Sequence, residues 1–514
     1  MKKNLLNSIK ISTPSSNVFD LTHDVKMTGN FGYLMPVLAL ECLPGDKIHI
    51  GADTLIRFAP LIAPVMHRMD ATIHYFFVPN RIVWDGWEEF ITNHNSDRVM
   101  PIIKSAEALT ADQKKFLDYM GIPPCTTVGQ SADINAIPFA AYLKIYNDYY
   151  RDQNLITDLK DQCQLIDGDN SANLELFKMR NRAWEHDYFT ASLPFAQKGA
   201  SVDIPLGDVM LKPGTEWNFN PRFEDLNQQL TATTAIQTDS AGNIFNTPVG
   251  NALAYNPMGT MTTEPTTIND LRRAFKLQEW LEKNARGGTR YVESILVHFG
   301  VRSSDARLQR PEYITGVKSP VIISEVLNTT GIDLNATSQG GGPQGNMAGH
   351  GIAVTTGKSG SKFCEEHGYI IGIMSVMPKS AYQNGIPKTF LKRDSMDIYW
   401  PEFAHLGEQE VQNQEIFAYT ASPKGIFGYL PRYTEYKYMP SRIAGDFRTT
   451  LNYWHIGRIF NTPPALNQNF IECFPQDVAR IFAVTDPDAD PLYIQILHRI
   501  KAVRRMPVFG TPSF

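Results

Sequence analysis

Apolar and polar residues alternate with a period of two in several segments of this 514-residue chain. The alternation predicts half-buried β-strands over 73–77, which precedes Pro79, over Val292–Val301 and over 492–501. The nearly continuous apolar run Tyr369–Met377 predicts a fully buried strand. In the C-terminal segment the apolar positions are Leu492, Ile494, Ile496 and Ile500, and the polar positions are Gln495, Arg499 and Lys501. This segment therefore predicts a strand with one face in a core and one face outside it.

Helical patterns are fewer and fall between these strands. Thr110 and Gln113 form a capping-box pattern, which predicts a helix that ends near Gly121. A second helix is predicted from Thr267 to Gly287. A third is predicted by an apolar stripe with helical spacing, formed by Phe139, Tyr142, Leu143, Tyr146, Tyr149 and Tyr150. The chain is therefore mainly β, with helices between its strands.

Two long segments have little periodicity. Residues 200–266 are rich in Thr, Asn, Gly and Pro, and residues 335–362 are rich in Gly, so we expect the second segment to be a mobile loop. Loops of this length in compact proteins usually carry a function or move. We expect a single antiparallel β-sandwich domain spanning 1–514, with long loop and helical insertions.

The composition is that of a globular protein, with 43% hydrophobic and 20% charged residues. The formal net charge is only −5, so any contact with nucleic acid must come from a local patch. Abundant Pro, Gly and aromatic residues suit a loop-rich β protein with interfacial surfaces. A secreted carbohydrate-active enzyme could have the same composition.

The five cysteines are widely spaced and form no C-x-x-C pair, which argues against a disulfide framework and for a reducing compartment. No apolar run reaches 18 residues, so we predict no insertion into a membrane. The N-terminal apolar stretch is too short for a signal peptide. These features predict synthesis and assembly in a cytoplasm.

Motifs for catalysis, cofactors and metals are incomplete. The 351–359 segment resembles a phosphate loop, but five residues instead of four separate its glycines. The acidic turn 486–490 lacks the Gly and Glu of an EF-hand, although a looser cation site there is an alternative. Cys364 and His367 have no second pair of zinc ligands nearby. We predict no catalytic residues, no cofactor and no metal.

The C-terminal strand and the tail after it are basic. The run contains His498, Arg499, Lys501, Arg504 and Arg505, with Tyr493, Phe509 and Phe514 close in sequence. Cations track phosphates and aromatic rings stack on unpaired bases, so this pattern indicates contact with single-stranded nucleic acid. The alternative is a solvated strand face followed by an interfacial tail.

Several segments, taken in their order, resemble the major capsid proteins of microviruses, which are small single-stranded DNA bacteriophages, and the gokushoviruses in particular. The resemblance covers most of the chain outside the two long segments. The similar segments are Phe19–Ile50, Arg57–Ile91, Ile137–Asn154, Arg182–Gly199, Leu271–Val301, Ser303–Gly316, Gly445–Phe460 and the closing basic strand with its tail.

This resemblance implies an eight-stranded viral jelly roll that self-assembles through pentamers into a T=1 icosahedral shell around circular single-stranded DNA. The 200–266 insertion would form protrusions at the threefold axes that meet a host cell-surface receptor. Arg499, Lys501, Arg504 and Arg505 would contact DNA on the inner surface. The expected location is the virion, after assembly in the host bacterial cytoplasm.

The charge balance and the resemblance together imply partners. A chain with a net charge of −5 cannot neutralise a packaged genome. Microviruses use a small basic DNA-binding protein, and also a pilot protein and an internal scaffolding protein, and we expect these partners here. The alternatives from other classes are a jelly-roll carbohydrate-binding protein or glycosidase, and a monomeric host-binding spike, for which the expected repeats or coiled coil are not visible.

Overall fold

The structure is a computed structural model. It describes residues 15–94, 97–200, 202, 267–288, 290–327, 347–484, 486 and 489–509, and six short strands between 209 and 263. The strands are β1 (Asn17–Asp20), β2 (His23–Gly29), β3 (Met35–Cys42), β4 (Lys47–Phe58), β5 (Met69–Pro79), β6 (Ile102–Ala106), β7 (Ser131–Asn135), β8 (Val209–Leu211), β9 (Arg222–Phe223), β10 (Ile236–Thr238), β11 (Ile244–Asn246), β12 (Leu253–Ala254), β13 (Met261–Thr263), β14 (Glu312–Pro320), β15 (Ile322–Leu327), β16 (Met347–Thr356), β17 (Gly360–Phe363), β18 (Gly368–Pro378), β19 (Glu408–Gln412), β20 (Ile426–Pro431) and β21 (Leu492–Arg504).

Helices lie between these strands. The α-helices are α1 (Trp87–Ile91), α2 (Ala111–Tyr119), α3 (Ile137–Ile145), α4 (Ile268–Gly287), α5 (Tyr291–Phe299), α6 (Asn413–Ile416), α7 (Gln468–Ile471) and α8 (Pro475–Val478). A π-helical turn, Tyr146–Tyr150, follows α3 directly. Short 3-10 helices lie at Asn80–Ile82, Leu174–Phe177, Lys388–Phe390, Ser395–Asp397, Pro401–Phe403, Thr434–Tyr436, Gly445–Arg448, Asn452–Trp454 and Ala479–Ile481.

Two antiparallel sheets pack face to face. The seven-stranded sheet has the order β1-β21-β4-β16-β15, with β2 also paired to β21 and β17 to β4. The four-stranded sheet has the order β14-β5-β18-β3. Eight long strands therefore divide as β2-β21-β4-β16 and β14-β5-β18-β3, and the chain passes between the sheets several times. This is the connectivity of a jelly roll, so the expected mainly β, viral jelly-roll fold is confirmed.

The core of the sandwich lies between the two sheets and contains the predicted strand faces. β21 alternates between buried and exposed side chains along most of its length. The inward side chains are those of Leu492, Ile494, Ile496, Ile500 on β21 and Ile73, Tyr75, Phe77 on β5. β18 is buried almost throughout, as predicted for Tyr369–Met377. Period two places one set of side chains in this core and the other outside it.

The opposite face of the four-stranded sheet is covered by the chain itself. Phe76 of β5 and Ile371 of β18 belong to a second apolar cluster that includes Phe116 of α2 and Phe139 of α3. The predicted helices are confirmed: Thr110 caps α2 through a capping box, and α4 ends at Gly287. The predicted aromatic stripe continues from α3 into the π-helical turn.

Two long insertions interrupt the sandwich, and the first supplies this covering. The first, 80–311, connects β5 to β14, and the second, 379–491, connects β18 to β21. A third apolar cluster joins the two insertions, with Tyr188 and Phe189 from the first and Tyr382, Val411 and Phe427 from the second. Within the described residues, no helix is both long and apolar enough to span a membrane.

By its internal contacts the chain divides into two compact units. One comprises Met1–Ala196 and Ala285–Phe514, and the other comprises Gln197–Asn284. The second unit contains nested antiparallel pairs: β8 with β13, β9 with β12, and β10 with β11. This nesting is that of one long interrupted hairpin within the 200–266 segment.

The described ends of the chain meet at one edge of the seven-stranded sheet. Asn17 of β1 lies opposite Arg504 of β21. The side-chain amide of Asn17 also donates a hydrogen bond to the carbonyl oxygen of Met506, over 2.7 Å. β21 therefore lies between the N-terminal strands and β4, in the interior of the sheet.

Two predictions from the sequence differ from the structure, the first of them made from periodicity and the second, over its described part, from composition. Val292–Val301 was expected to be a strand, but most of it belongs to helix α5, which ends at Gly300 with a φ of 67°. Val292, Ile295, Leu296 and Phe299 also have helical spacing, so this short apolar pattern fits both periods. The glycine with positive φ closes the helix.

The Gly-rich segment 335–362 is the second. From Met347 onward it forms β16 and then β17, while residues 335–346 lie outside the described part. A Cβ atom on Gly349 would lie 2.4 Å from the carbonyl oxygen of Ala63, and one on Gly351 would lie 2.6 Å from the ring of Phe58. Glycine is present because the neighbouring segments approach β16 closely, and not because the segment is a loop.

Candidate nucleic-acid interface

The two sheets differ in what lies on their outer faces. The outer face of the four-stranded sheet is covered by residues of the first insertion that lie between 82 and 177. On the seven-stranded sheet, the alternate residues of β2, β4, β16 and β21 that point away from the sandwich are exposed or partly exposed. We call this surface the open face.

Two of the four predicted DNA-contacting residues lie on the open face. Lys501 is exposed and lies between His49 of β4 and Asp20 of β1. Arg499 is partly exposed and forms an ion pair with Asp53 at 3.1 Å. It also donates a hydrogen bond to the carbonyl oxygen of Gly357 over 2.8 Å. Lys501 is thus the more available of these two cations.

The other two lie at the end of β21. Arg504 forms a 3.0 Å ion pair with Asp46, whose side chain is only 3% exposed, and donates to the carbonyl oxygen of Glu41. Arg505 is exposed beside the turn that contains Gly45, where φ is 89°. Arg504 therefore stabilises the β3–β4 turn, while Arg505 extends from the same edge as Lys501.

His498 does not belong to the exposed cationic run in which the sequence placed it. Its side chain is fully buried between the sheets. Its ring nitrogens lie 2.9 Å from the hydroxyl of Tyr75 and 3.1 Å from the carbonyl oxygen of Val37. Burial lowers the pKa of His498 to about 4, so the ring is neutral at pH 7.

The open face carries cations that sequence reasoning missed. Arg57 lies opposite Tyr493, Lys47 opposite Val503, and Lys26 opposite Gln495. Lys26, Lys47 and Arg57 are exposed, and no ion pair joins them to a carboxylate in the described residues. Lys47 and Arg57 are separated by an even number of positions in one strand, so the sequence could have indicated that both lie on the same face. Their proximity to β21 depends on the register between strands that are distant in sequence. Cations outnumber carboxylates on this face: Lys26, Lys47, Arg57, Arg499 and Lys501 against Asp20, Asp24 and Asp53.

The aromatic residues near the basic run are separated in the structure. Phe509 is 80% exposed beyond the strand, and Phe514 lies outside the described residues. Tyr493 is 48% exposed on the open face. Eight residues of extended strand place it about 27 Å from Lys501, at the other end of the sheet.

The other motifs serve structural contacts. Asp490 of the acidic turn accepts hydrogen bonds from Lys115, Thr28 and Tyr119. Cys364 is buried, whereas the ring of His367 packs against Trp87. Within the described part of the chain, no group of His, Cys, Asp or Glu side chains is arranged to hold a metal ion.

Known proteins similar to this chain are viral coat proteins. The sequence matches the family described as capsid protein (F protein) over residues 8–514. It is 36% identical to capsid protein VP1 of Bdellovibrio phage phiMH2K, over 96% of this chain and 95% of that protein. It is 32% identical to capsid protein VP1 of Chlamydia phage 1, over 99% of this chain and 98% of that protein. It is 30% identical to capsid protein VP1 of Spiroplasma virus 4, over 96% of this chain and 94% of that protein.

These matches extend over the sandwich and both insertions, so they include the framework that carries the open face. They agree with the jelly roll found in the structure, and they identify the protein as a structural component of the virion rather than an enzyme. Such subunits self-assemble into a shell. The chain belongs to the phage capsid protein (F protein) family.

Proposed function

We propose that this capsid protein assembles through pentamers into a T=1 icosahedral shell that encloses circular single-stranded DNA, with the open face of the seven-stranded sheet toward the DNA. The single observation that supports this orientation is the difference between the two sheets. One is covered by the chain's own insertion, and the other presents exposed strands with an excess of cations.

In this proposal Arg499, Lys501, Arg504 and Arg505 contact phosphates, with unequal support from geometry. Lys501 and Arg505 are exposed and lie at the edge where the chain ends meet. Arg499 and Arg504 already form ion pairs with Asp53 and Asp46. An arginine in such a pair still has donors for a phosphate, but part of its charge is compensated.

The 200–266 segment is proposed to project outward, at the threefold axes, toward a host cell-surface receptor. Its nested strand pairs support this role, because a long hairpin extends from a base where both of its ends lie together. All five cysteines are free, which supports assembly in the reducing cytoplasm of a bacterial host.

The negative net charge of the chain supports a need for further partners that neutralise the DNA. The chain as a whole has a net charge of −5, so a small basic DNA-binding protein would supply much of the neutralising charge. A pilot protein and an internal scaffolding protein complete the proposed set, by analogy with microviruses.

The test compares particles from two variants. The first replaces Arg499, Lys501, Arg504 and Arg505 by Gln, and the second replaces only Lys501 and Arg505, which leaves both ion pairs intact. We expect both to hold less nuclease-protected DNA, measured by ultraviolet absorbance and sedimentation, and to lose DNA at lower salt. The control, Lys424→Gln with Lys437→Gln, changes two exposed lysines of the second insertion. Normal DNA content in both variants would contradict the proposal.

A further inference from the structure

A second cationic site with an aromatic side chain lies at the end of the open face away from the tail. Tyr493 of β21 lies directly opposite Arg57 of β4 in the antiparallel register. Lys26 of β2 lies opposite Gln495, two residues along β21 on the same face. Directly opposed side chains in such a pair have Cβ atoms about 5 Å apart. Arg57 therefore lies beside the ring of Tyr493, and Lys26 is a diagonal neighbour of Tyr493 on the other side of β21, at about 7–8 Å between Cβ atoms.

These three side chains have no evident role in the fold. Tyr493 is 48% exposed, and in the described residues it makes no ring contact or side-chain hydrogen bond. Arg57 and Lys26 are exposed and have no carboxylate partner in the same part of the chain. Asp490, which accepts a hydrogen bond from Thr28 in the neighbouring strand, is already paired with Lys115 at 2.7 Å. An exposed ring beside two unpaired cations is available to a ligand.

The sheet surface around Tyr493 and Arg57 is partly apolar. One row across the sheet contains Thr28, Tyr493, Arg57, Ile352 and Ile322 in successive strands. Ile322 is 64% exposed, so the row continues as an apolar platform beyond Arg57. A planar, partly apolar ligand with a negative charge nearby suits this arrangement better than a phosphate alone would.

We propose that Tyr493, Arg57 and Lys26 form a second nucleic-acid subsite, in which an unpaired base stacks on Tyr493 while Arg57 and Lys26 bind the adjoining phosphates. Stacking on an aromatic ring tolerates any base, because every base has a π face, and nearby arginine adds a cation–π contribution. This inference rests on the proposed function, since it requires single-stranded DNA at the open face. It adds a site about 27 Å from Lys501, so one strand of DNA would be held at two points of the sheet.

The test separates stacking from charge. Unassembled subunits, in which the open face is accessible, are titrated with two probes of equal length. These are single-stranded oligo(dT) and an abasic oligodeoxynucleotide that has the same backbone without bases. Tyr493→Ala should weaken oligo(dT) binding about five-fold or more and leave abasic binding unchanged. Tyr493→Phe keeps a ring and should bind oligo(dT) like the parent protein. Arg57→Gln with Lys26→Gln should weaken both probes. The matched control is Tyr419→Ala, which removes a 93% exposed tyrosine from the second insertion.

A photochemical readout locates the contact directly. Ultraviolet irradiation of particles should crosslink packaged DNA to a peptide that contains Tyr493, and the crosslink should persist when Lys501 and Arg505 are replaced. Equal oligo(dT) affinity for Tyr493→Ala and the parent protein, with crosslinks only in the tail, would overturn the subsite and leave the proposed function intact. Failure of the parent protein to bind either probe would overturn both.

Discussion

Tyr75 of the four-stranded sheet donates a hydrogen bond from its hydroxyl to Nδ1 of His498 in the seven-stranded sheet, over 2.9 Å. The direction of this hydrogen bond follows from the contact of the other ring nitrogen, Nε2. Nε2 lies 3.1 Å from the carbonyl oxygen of Val37, which can only accept, so Nε2 carries the ring hydrogen. The two sheets are thus joined in the middle of the core by a neutral histidine.

Stability should therefore fall in mild acid. Burial lowers the pKa of His498 from 6.5 to about 4, and His67 and His74 are shifted in the same direction to about the same value. Below pH 6.5 the unfolded chain takes up protons that the folded chain does not, so stability is lost as the pH falls from 6.5 to 4. Through its shifted pKa, His498 alone should lower the free energy of unfolding by about 2 kcal/mol when the pH falls from 7 to 5.

The measurement is urea unfolding of dissociated subunits at pH 7 and pH 5. His498→Gln keeps a donor for Val37 and an acceptor for Tyr75 but cannot be protonated in this range, so its loss between the two pH values should be smaller by about 2 kcal/mol. His405→Gln, at an exposed position, is the control. The same pH dependence in His498→Gln as in the parent chain would refute this role.

Salt dependence should report the contacts of the tail. Each phosphate contact with single-stranded DNA contributes about 0.7 to the slope of log affinity against log salt. Replacing Lys501 and Arg505 by Gln should therefore reduce the slope by about 1.4, whatever the DNA sequence. The slope is measured by titrating oligo(dT) at several salt concentrations. A slope that changes by less than about 0.3, half of one contact, would show that neither side chain contacts phosphate.

Gly349 should not tolerate a side chain. Its added Cβ would lie 2.4 Å from the backbone oxygen of Ala63, and backbone cannot rotate away as a side chain can. Gly349→Ala should lower the free energy of unfolding by about 1–3 kcal/mol. The control in the same strand is Val354→Ala, since Val354 is 66% exposed. Equal stability of the two variants in urea unfolding would contradict this account of the glycines in β16.

The hairpin of the second unit should be removable. Val209 of β8 lies opposite Thr263 of β13, so the two ends of the segment between them are adjacent. Replacing 210–262 by a short Gly-Ser linker should leave subunit stability and shell assembly unchanged within error, while adsorption to host cells is lost. Sedimentation and a plaque-adsorption assay measure the two effects. Particles that lack the hairpin and still adsorb normally would exclude it as the attachment element.

The sequence predicted the sandwich well because its strands are half buried. Period two in 73–77 and 492–501 is a direct consequence of one face lying in the core, and β5 and β21 have that arrangement. The pattern failed at Val292–Val301, where the apolar positions of a short segment fit both periods and the structure has a helix that Gly300 closes. The glycine-rich composition also misled at Gly349 and Gly351, because close packing and turns both select glycine.

The candidate site was predictable only in part. The alternation of β21 is sufficient to place Arg499 and Lys501 on one face, and it could also have placed His498 in the core with Ile496 and Ile500. The contributions of Lys26, Lys47 and Arg57 depend on which strands become neighbours, and a single sequence does not contain that information. The ion pair of Arg504 with Asp46 is likewise a product of tertiary structure.

The position of β21 affects when this protein can fold. Its residues leave the ribosome long after those of β1, β2 and β4, yet they form an interior strand that pairs with all three. Until they emerge, the N-terminal strands and β4 lack the partner that joins them, and contacts of such sequence separation form slowly. A subunit in which β21 has not yet emerged therefore lacks both the central strand of its seven-stranded sheet and the open face that this strand completes.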